Sequence, residues 1–365
     1  MDTATAGDIT LITVIVALRL LVPLLLPLIP LPAIIACLVI DAADQTIFQN
    51  HLTPATWSAV ENSYQGYDKS LDIYYLAMAY MATMRNWTNL VAVSVSQFLW
   101  YYRLVGVTIF ETLHDSADPS SWRWLLLVFP NTFEYFFIAY ETVRLRWDPR
   151  RMSKRFVIGM AAFIWIFIKL PQEWWIHVAE LDFTDFADEH GWVYPTLVVL
   201  LVAAVPVTWW LLHSVLPAKD WNLHVLADRL RPVTSPAGRL FSWPLLEKIA
   251  LIGLIIVIFM QILPGATPRP SQIVVAASIY VVIDSAFSLL VGLRHRSMMT
   301  SVLLFVGLAA VNLATTEVLH LLSNRFQVDH ALFFALLLSL IVTWYDRYRP
   351  VLDERRAAEP AQAAA

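Results

Sequence analysis

The chain has 365 residues, 58% of them hydrophobic and 15% charged, with a mean hydropathy of +0.61. This places it well to the apolar side of a soluble domain. The formal net charge of −4 leaves no nucleic-acid footprint, and the single cysteine, Cys37, excludes a disulfide framework and zinc sites built on cysteine pairs.

Eleven apolar stretches then follow one another, each near the roughly 20 residues a helix needs to cross a hydrocarbon core about 30 Å thick. In that medium a helix satisfies its own backbone polar groups. The expected fold is therefore an all-α, polytopic helical bundle of about 11 transmembrane helices, a single domain over residues 1–350 in the cell membrane. The first span covers 10–29. Asp2 and Asp8 stand where a signal peptide carries basic residues, so it reads as a membrane helix. The second covers 32–48. Pro23, Pro27, Pro30 and Pro32 forbid one continuous helix and predict a sharp turn near Ile29–Leu31. A polar loop, 49–67, leads to a third span at 68–86, followed by spans at 89–113, 122–143, 155–178, 192–216, 243–264, 271–293, 298–323 and 329–346. Trp122, Trp124, Trp147, Trp192 and Trp243 lie near segment ends, as in aromatic belts. Residues 217–242 suit a short interfacial helix with Trp221, Leu223, Val225 and Leu226 on its apolar side. The tail 351–365 reads as disordered.

Loop charges alternate in sign. Arg144, Arg146, Arg150, Arg151, Lys154 and Arg155 lie between the fifth and sixth spans, and Glu180, Asp182, Asp185, Asp188 and Glu189 fill the next loop. Lys219, Arg229, Arg231 and Arg239, then Arg294 and Arg296, then Arg347, Arg349, Arg355 and Arg356 restore the basic pattern. Basic loops remain cytoplasmic, which places the C-terminus in the cytosol and, over eleven spans, the N-terminus outside.

Charged side chains at membrane depth cost about 2.5–3.5 kcal/mol each on insertion scales. Arg19, Arg103, Lys169 and Lys248 are the basic candidates. Glu111, Glu141, Glu173, Lys169, Glu247 and Lys248 sit near span ends, where snorkelling accounts for them. Asp41 and Asp44 share a face at the end of the second span, and Asp68 and Asp72 share one at the start of the third. Antiparallel packing would bring all four together, and four anions in a low dielectric call for protons or cations. Oxygen-rich carboxylate sites suit Mg²⁺, Ca²⁺ and Mn²⁺. Alternatively these aspartates cap helices, Asp68 above all.

Asp41-Ala-Ala-Asp44 and Asp68-Lys-Ser-Leu-Asp72, preceded by the apolar run bearing Arg19, resemble the signature of the CDP-alcohol phosphotransferases, D-x2-D-G-x2-A-R followed by G-x3-D-x3-D. Gln45, Phe48, Gln49 and Tyr64 stand where that signature has Gly, Ala, Arg and Gly, and the resemblance covers residues 10–85. It implies a divalent metal, Mg²⁺ or Mn²⁺, on Asp41, Asp44 and Asp68. It also implies that Asp72 is the base that deprotonates an acceptor hydroxyl, with a lipid as substrate.

Further along, Pro130 interrupts the fifth span, and Asn131 and Glu134 share a face there, with Arg103 as the expected ion partner of Glu134. Asp284 and Glu317 lie in the ninth and tenth spans. Three functions fit these residues. One is metal-assisted transfer of a phospho-group onto a lipid or other membrane-resident alcohol. Another is a proton- or cation-coupled carrier or channel lined by the aspartates, Glu134, Asp284 and Glu317. The third is an assembly protein without catalysis.

Overall fold

The computed structural model describes residues 4–113, 122–179, 190–220, 243–262, 298–323 and 328–363 as continuous stretches, with a few single residues and short runs between them. Among the described residues the chain is all α, with twelve α-helices. Among the described residues six stretches are long and apolar enough to cross a membrane: Ala6–Leu25, Pro30–His51, Leu90–Leu113, Lys154–His177, Val193–Trp210 and Trp243–Ile262. Most of the expected ninth span, 271–293, and most of 217–242 fall outside the described residues.

Helix α1 (Ala6–Leu21) opens on a capping box, in which the Asp8 N–H donates to Thr5 Oγ1 at 3.1 Å and Asp8 Oδ2 accepts from the Thr5 N–H at 3.0 Å. A 3-10 turn at Val22–Leu25 carries Pro23, and α2 (Pro30–His51) starts with a proline at its first position. The hairpin expected from the prolines is therefore present. Helix α3 (Pro54–Asn86) differs from expectation. It begins fourteen residues before Asp68, so the segment 54–67 is helix and Asp68 caps nothing. Pro54 at its first position and Asp8 explain the start, because Asp8 also accepts from the Thr53 N–H at 3.2 Å, Thr53 Oγ1 at 2.9 Å and Thr56 Oγ1 at 3.0 Å. One carboxylate thus caps α1 and ties it to the head of α3.

The C-terminal half of α3 is the centre of the bundle. Every residue from Ile73 to Arg85 is buried, as expected of a helix that is apolar all round. It is surrounded by α1, α2, α4 (Leu90–Leu113), α6 (Thr132–Arg144), α10 (Trp243–Ile262) and α12 (Val328–Ala363). Lipid tails are as apolar as these side chains, so close packing holds the helices together rather than escape from water. Ala77, Ala79 and Ala82 let neighbours approach α3, and Trp87, Trp100, Phe133, Phe136, Phe137 and Tyr140 interlock beside it.

The fifth span is broken into α5 (Trp124–Val128) and α6 around Pro130. The sixth comprises α7 (Lys154–Phe163), a π-helical turn at Ile164–Lys169 and α8 (Leu170–His177). Helix α9 (Val193–Trp210) lies at the periphery with nearly all of its side chains exposed, and α11 (Met298–Ser323) packs on α12.

Helix α12 runs to Ala363, so the segment after Pro350, expected to be disordered, is helical through that residue. Arg355 holds it in place by donating to the carbonyls of Met84 (3.1 Å), Trp87 (2.9 Å) and Arg85, the last turn of α3. A cation there satisfies orphan carbonyls and faces the negative helix end. Other basic positions gather at the same end: Arg144 donates to the Asn86 carbonyl, Arg146 to the Pro217 carbonyl, and Arg151 pairs with Asp220 at 3.1 Å. The Asp148 backbone N–H, with Arg151 beside it, holds the Asp220 carboxyl below the usual carboxylate range.

Replacing Arg355 with Met keeps the stem and removes all three carbonyl contacts. Charge-assisted hydrogen bonds are worth about 1.5–3 kcal/mol each at most, so thermal unfolding in detergent should show a loss of that order. An unchanged melting temperature would mean that α12 is held by other contacts.

Candidate functional site

Helices α1, α2 and α3 bring one arginine and four aspartates together. Arg19 lies in the last turn of α1, Asp41 and Asp44 on one face of α2, and Asp68 and Asp72 on one face of the antiparallel α3. Arg19 Nη1 donates to Asp44 and Asp68, and Nη2 donates to Asp41 and Asp72. Tyr64 completes the group: its hydroxyl donates to Asp44 and accepts from Arg19 Nη1 at 3.3 Å. The Gln45 N–H supplies a further donor to Asp44. The four carboxylates expected to converge around positive charge do so, and the positive charge is Arg19.

The burial is graded. The side chains of Arg19 and Asp44 are 3% and 2% exposed, whereas Asp41 is 26% exposed and Asp68 and Asp72 are 36% and 37% exposed. The cluster therefore has a closed floor and an open mouth. Asp41 lies about 17 Å along α2 from Pro30, and Asp72 about 21 Å along α3 from Asn86, at 1.5 Å per residue. Both reference points are at the end where the basic loops meet; the far ends, His51 and Pro54, lie about 15 Å from Asp41 and about 27 Å from Asp72, so the cluster sits near the middle of α2 and α3.

Four carboxylates against one guanidinium leave three negative charges uncompensated. In a low-dielectric setting such an excess is held only with further positive charge or protons. Asp41, Asp44 and Asp68 each offer an oxygen, and the three oxygens lie within 4.8 Å of one another. An all-oxygen, carboxylate-rich donor set fits a hard divalent cation. A carboxylate group able to bind a metal is thus present.

The second polar group lies at the break in the fifth span. Glu134 accepts from the Tyr75 hydroxyl at 2.8 Å and from Asn131 Nδ2 at 2.9 Å. Arg103, expected to pair with Glu134, instead donates to the Phe129 carbonyl at 2.8 Å. The break around Pro130 leaves that carbonyl without a helical partner, and the guanidinium takes it. Glu173 accepts from the Asn131 N–H at 3.1 Å and pairs with Lys169 (3.4 Å) and His177 (3.1 Å), and Lys169 also lies 4.5 Å from the Tyr135 ring centre. Two carboxylates here face two basic side chains, Arg103 and Lys169. This group is close to electroneutral and stitches α3, α4, α6 and α8 together, whereas the aspartate cluster is not.

Several charges assigned above to snorkelling are buried and paired. Glu247 is held by Tyr80 at 2.6 Å and Arg349 at 2.9 Å, Lys248 by Asp346 at 2.8 Å, and Glu141 by Trp87 and by Arg144 at 2.6 Å. Glu317 is exposed on α11, and Asp284 lies outside the described residues. Sequence reasoning missed Tyr64 as a member of the site. Its position ten residues after Pro54 identifies it only once α3 is known to start there.

No protein-family model matches the chain, and neither a curated protein nor a solved structure matches it.

Two outcomes test this geometry. Arg19→Met leaves four carboxylates without their shared partner, and losing one side of a buried pair costs about 3–5 kcal/mol. Adding Asp44→Asn should recover part of that loss in a double-mutant cycle, and strict additivity would rule out direct coupling. At the helix break, a Cβ on Gly106 would lie 2.1 Å from Phe129 Cβ. Gly106→Ala should therefore lower thermal stability by about 1–3 kcal/mol, the usual cost of overpacking. A variant as stable as the parent would show that α5 yields freely.

Proposed function

We propose that this multi-pass membrane protein carries out metal-assisted transfer of a phospho-group onto a lipid or other membrane-resident alcohol at the aspartate cluster. The observation that carries the reading is the convergence of Asp41, Asp44 and Asp68 within 4.8 Å, in a group whose charge Arg19 does not balance. Mg²⁺ or Mn²⁺ would be held by these three residues, where a bound cation neutralises developing charge on phosphate oxygens. Asp72 is the residue for the acceptor. It is among the most open of the four, it is anchored by Arg19 on one side, and a carboxylate in reach of a hydroxyl can take its proton as the oxygen attacks phosphorus, while the P–O bond of a pyrophosphate-bearing donor breaks and the remaining phosphate leaves. The resemblance of Asp41, Asp44, Asp68 and Asp72 to the CDP-alcohol phosphotransferase signature supports the same roles. Arg19 and Tyr64 then stand in this chain as the floor of the site, holding Asp44 while Asp68 and Asp72 face the opening.

The topology we propose has eleven spans with the C-terminus in the cytosol. It is supported by the meeting of the basic segments 144–151, 217–220 and 347–356 at one end of the bundle. The aspartate cluster then lies near the middle of the bundle.

A second reading, cation or proton transport, is favoured by one observation: the buried Glu134–Tyr75 pair lies on α6 and α3 directly beside the helices of the cluster. It predicts flux in sealed vesicles under a proton or cation gradient. Absence of flux for the purified protein removes it.

For the transfer reading, lipid extracts should be compared among cells carrying the parent protein, a deletion and Asp72→Asn. The same species should be missing from the deletion and the variant, with turnover reduced by about 100-fold or more, the scale of a lost general base. Purified Asp72→Asn should still bind Mn²⁺, whereas Asp44→Asn should bind it weakly. Full restoration of the lipid profile by Asp72→Asn would defeat the assignment.

A further inference from the structure

The end of the bundle where the basic segments meet carries a second unbalanced charge, of the other sign. Arg150 and Arg151 form the 3-10 turn Pro149–Arg151, and Lys154 and Arg155 occupy the first turn of α7. All four are exposed. Arg151 pairs with Asp220, and its side chain remains 71% exposed. Arg150, Lys154 and Arg155 make no ion pair among the described residues. Basic side chains in a first helical turn also work against the helix dipole, so this segment gains from a nearby anion.

What lies directly below the charges determines the kind of anion. Over the following two turns of α7, Phe156 is 48% exposed, Ile158 45% and Phe163 56%. Between Arg155 and Phe163, four residues from each, stands Gly159, around which nothing lies within 4 Å of a built Cβ. Residues four apart share a helix face, so Arg155, Gly159 and Phe163 form a strip with a cation at the top, an open slot in the middle and an aromatic wall below. A soluble anion would satisfy the top only. An amphiphile with a phosphate head and acyl chains satisfies the whole strip.

We infer that Arg150, Lys154 and Arg155, with the slot over Gly159, form a binding surface for anionic phospholipid, the phosphate-bearing head on the basic side chains and an acyl chain along α7. This surface is independent of the aspartate cluster, which lies in α1–α3, and it holds whether or not the transfer reading does.

The test uses the full-length protein reconstituted in bilayers with a trace of spin-labelled lipid, measuring the motionally restricted fraction for an anionic label and for a zwitterionic one. The parent protein should prefer the anionic label, and Arg150→Gln/Lys154→Gln/Arg155→Gln should reduce that preference by at least about fivefold at low ionic strength, since a single surface cation already contributes a factor of that order. The charge-conserving variant Lys154→Arg/Arg155→Lys should retain it. Because these side chains are exposed, circular dichroism should report an unchanged helix content in every variant. Retained preference in the triple Gln variant overturns the proposal. Inorganic phosphate that abolishes the preference where chloride of equal ionic strength does not would also overturn it, because the surface would then be a site for free phosphate.

Discussion

A guanidinium enclosed by four carboxylates fixes how the first three helices lie. Arg19 is buried, and burial of an isolated charge is tolerated only with close partners. Its two terminal nitrogens reach Asp41 and Asp44 on α2 and Asp68 and Asp72 on α3. Sliding either helix by one turn, about 5.4 Å, would take a pair of carboxylates out of reach. The register of α1, α2 and α3 is thus set by charge at a depth where apolar packing alone would leave it loosely specified. Above and below this level two further ties act at opposite ends of α3: Asp8 joins the heads of α1 and α3, and Arg355 joins the last turn of α3 to α12.

Within this frame, the two polar groups in the bundle differ in kind. At the break of the fifth span, Arg103 and Lys169 match Glu134 and Glu173 in number, and each charge has a short-range partner. Such a group specifies packing. The aspartate cluster also fastens helices, through Arg19, but its surplus of carboxylates and its open side leave it able to bind a metal as well.

Much of this was legible in the sequence. The four prolines between Pro23 and Pro32 predicted the hairpin, Pro130 predicted the broken span, and the spacing of Asp41, Asp44, Asp68 and Asp72 predicted their convergence. Other features were hidden for identifiable reasons. The stretch 54–67 is polar and reads as a loop, and only its cap by Asp8, 45 residues away from Thr53, makes it helix. Pro350 reads as a stop, yet Arg349 reaches Asp353 and Arg355 reaches α3, and these contacts carry the helix past it. Glu247 and Lys248 resembled snorkelling ends because their partners, Arg349 and Asp346, lie about a hundred residues downstream. The Arg103–Glu134 pairing failed because a freed backbone carbonyl is also an acceptor, one that a sequence does not display.

The placement of Arg19 has a consequence for biogenesis. As the chain emerges, α1 arrives first with a lone arginine, whose insertion by itself is unfavourable by about 2.5–3.5 kcal/mol. Asp41 and Asp44 follow on α2, after a turn only a few residues long. The arginine therefore gains its first counter-charges when the second span is synthesised, which favours entry of α1 and α2 into the bilayer as one paired unit, with α3 closing the ring afterwards.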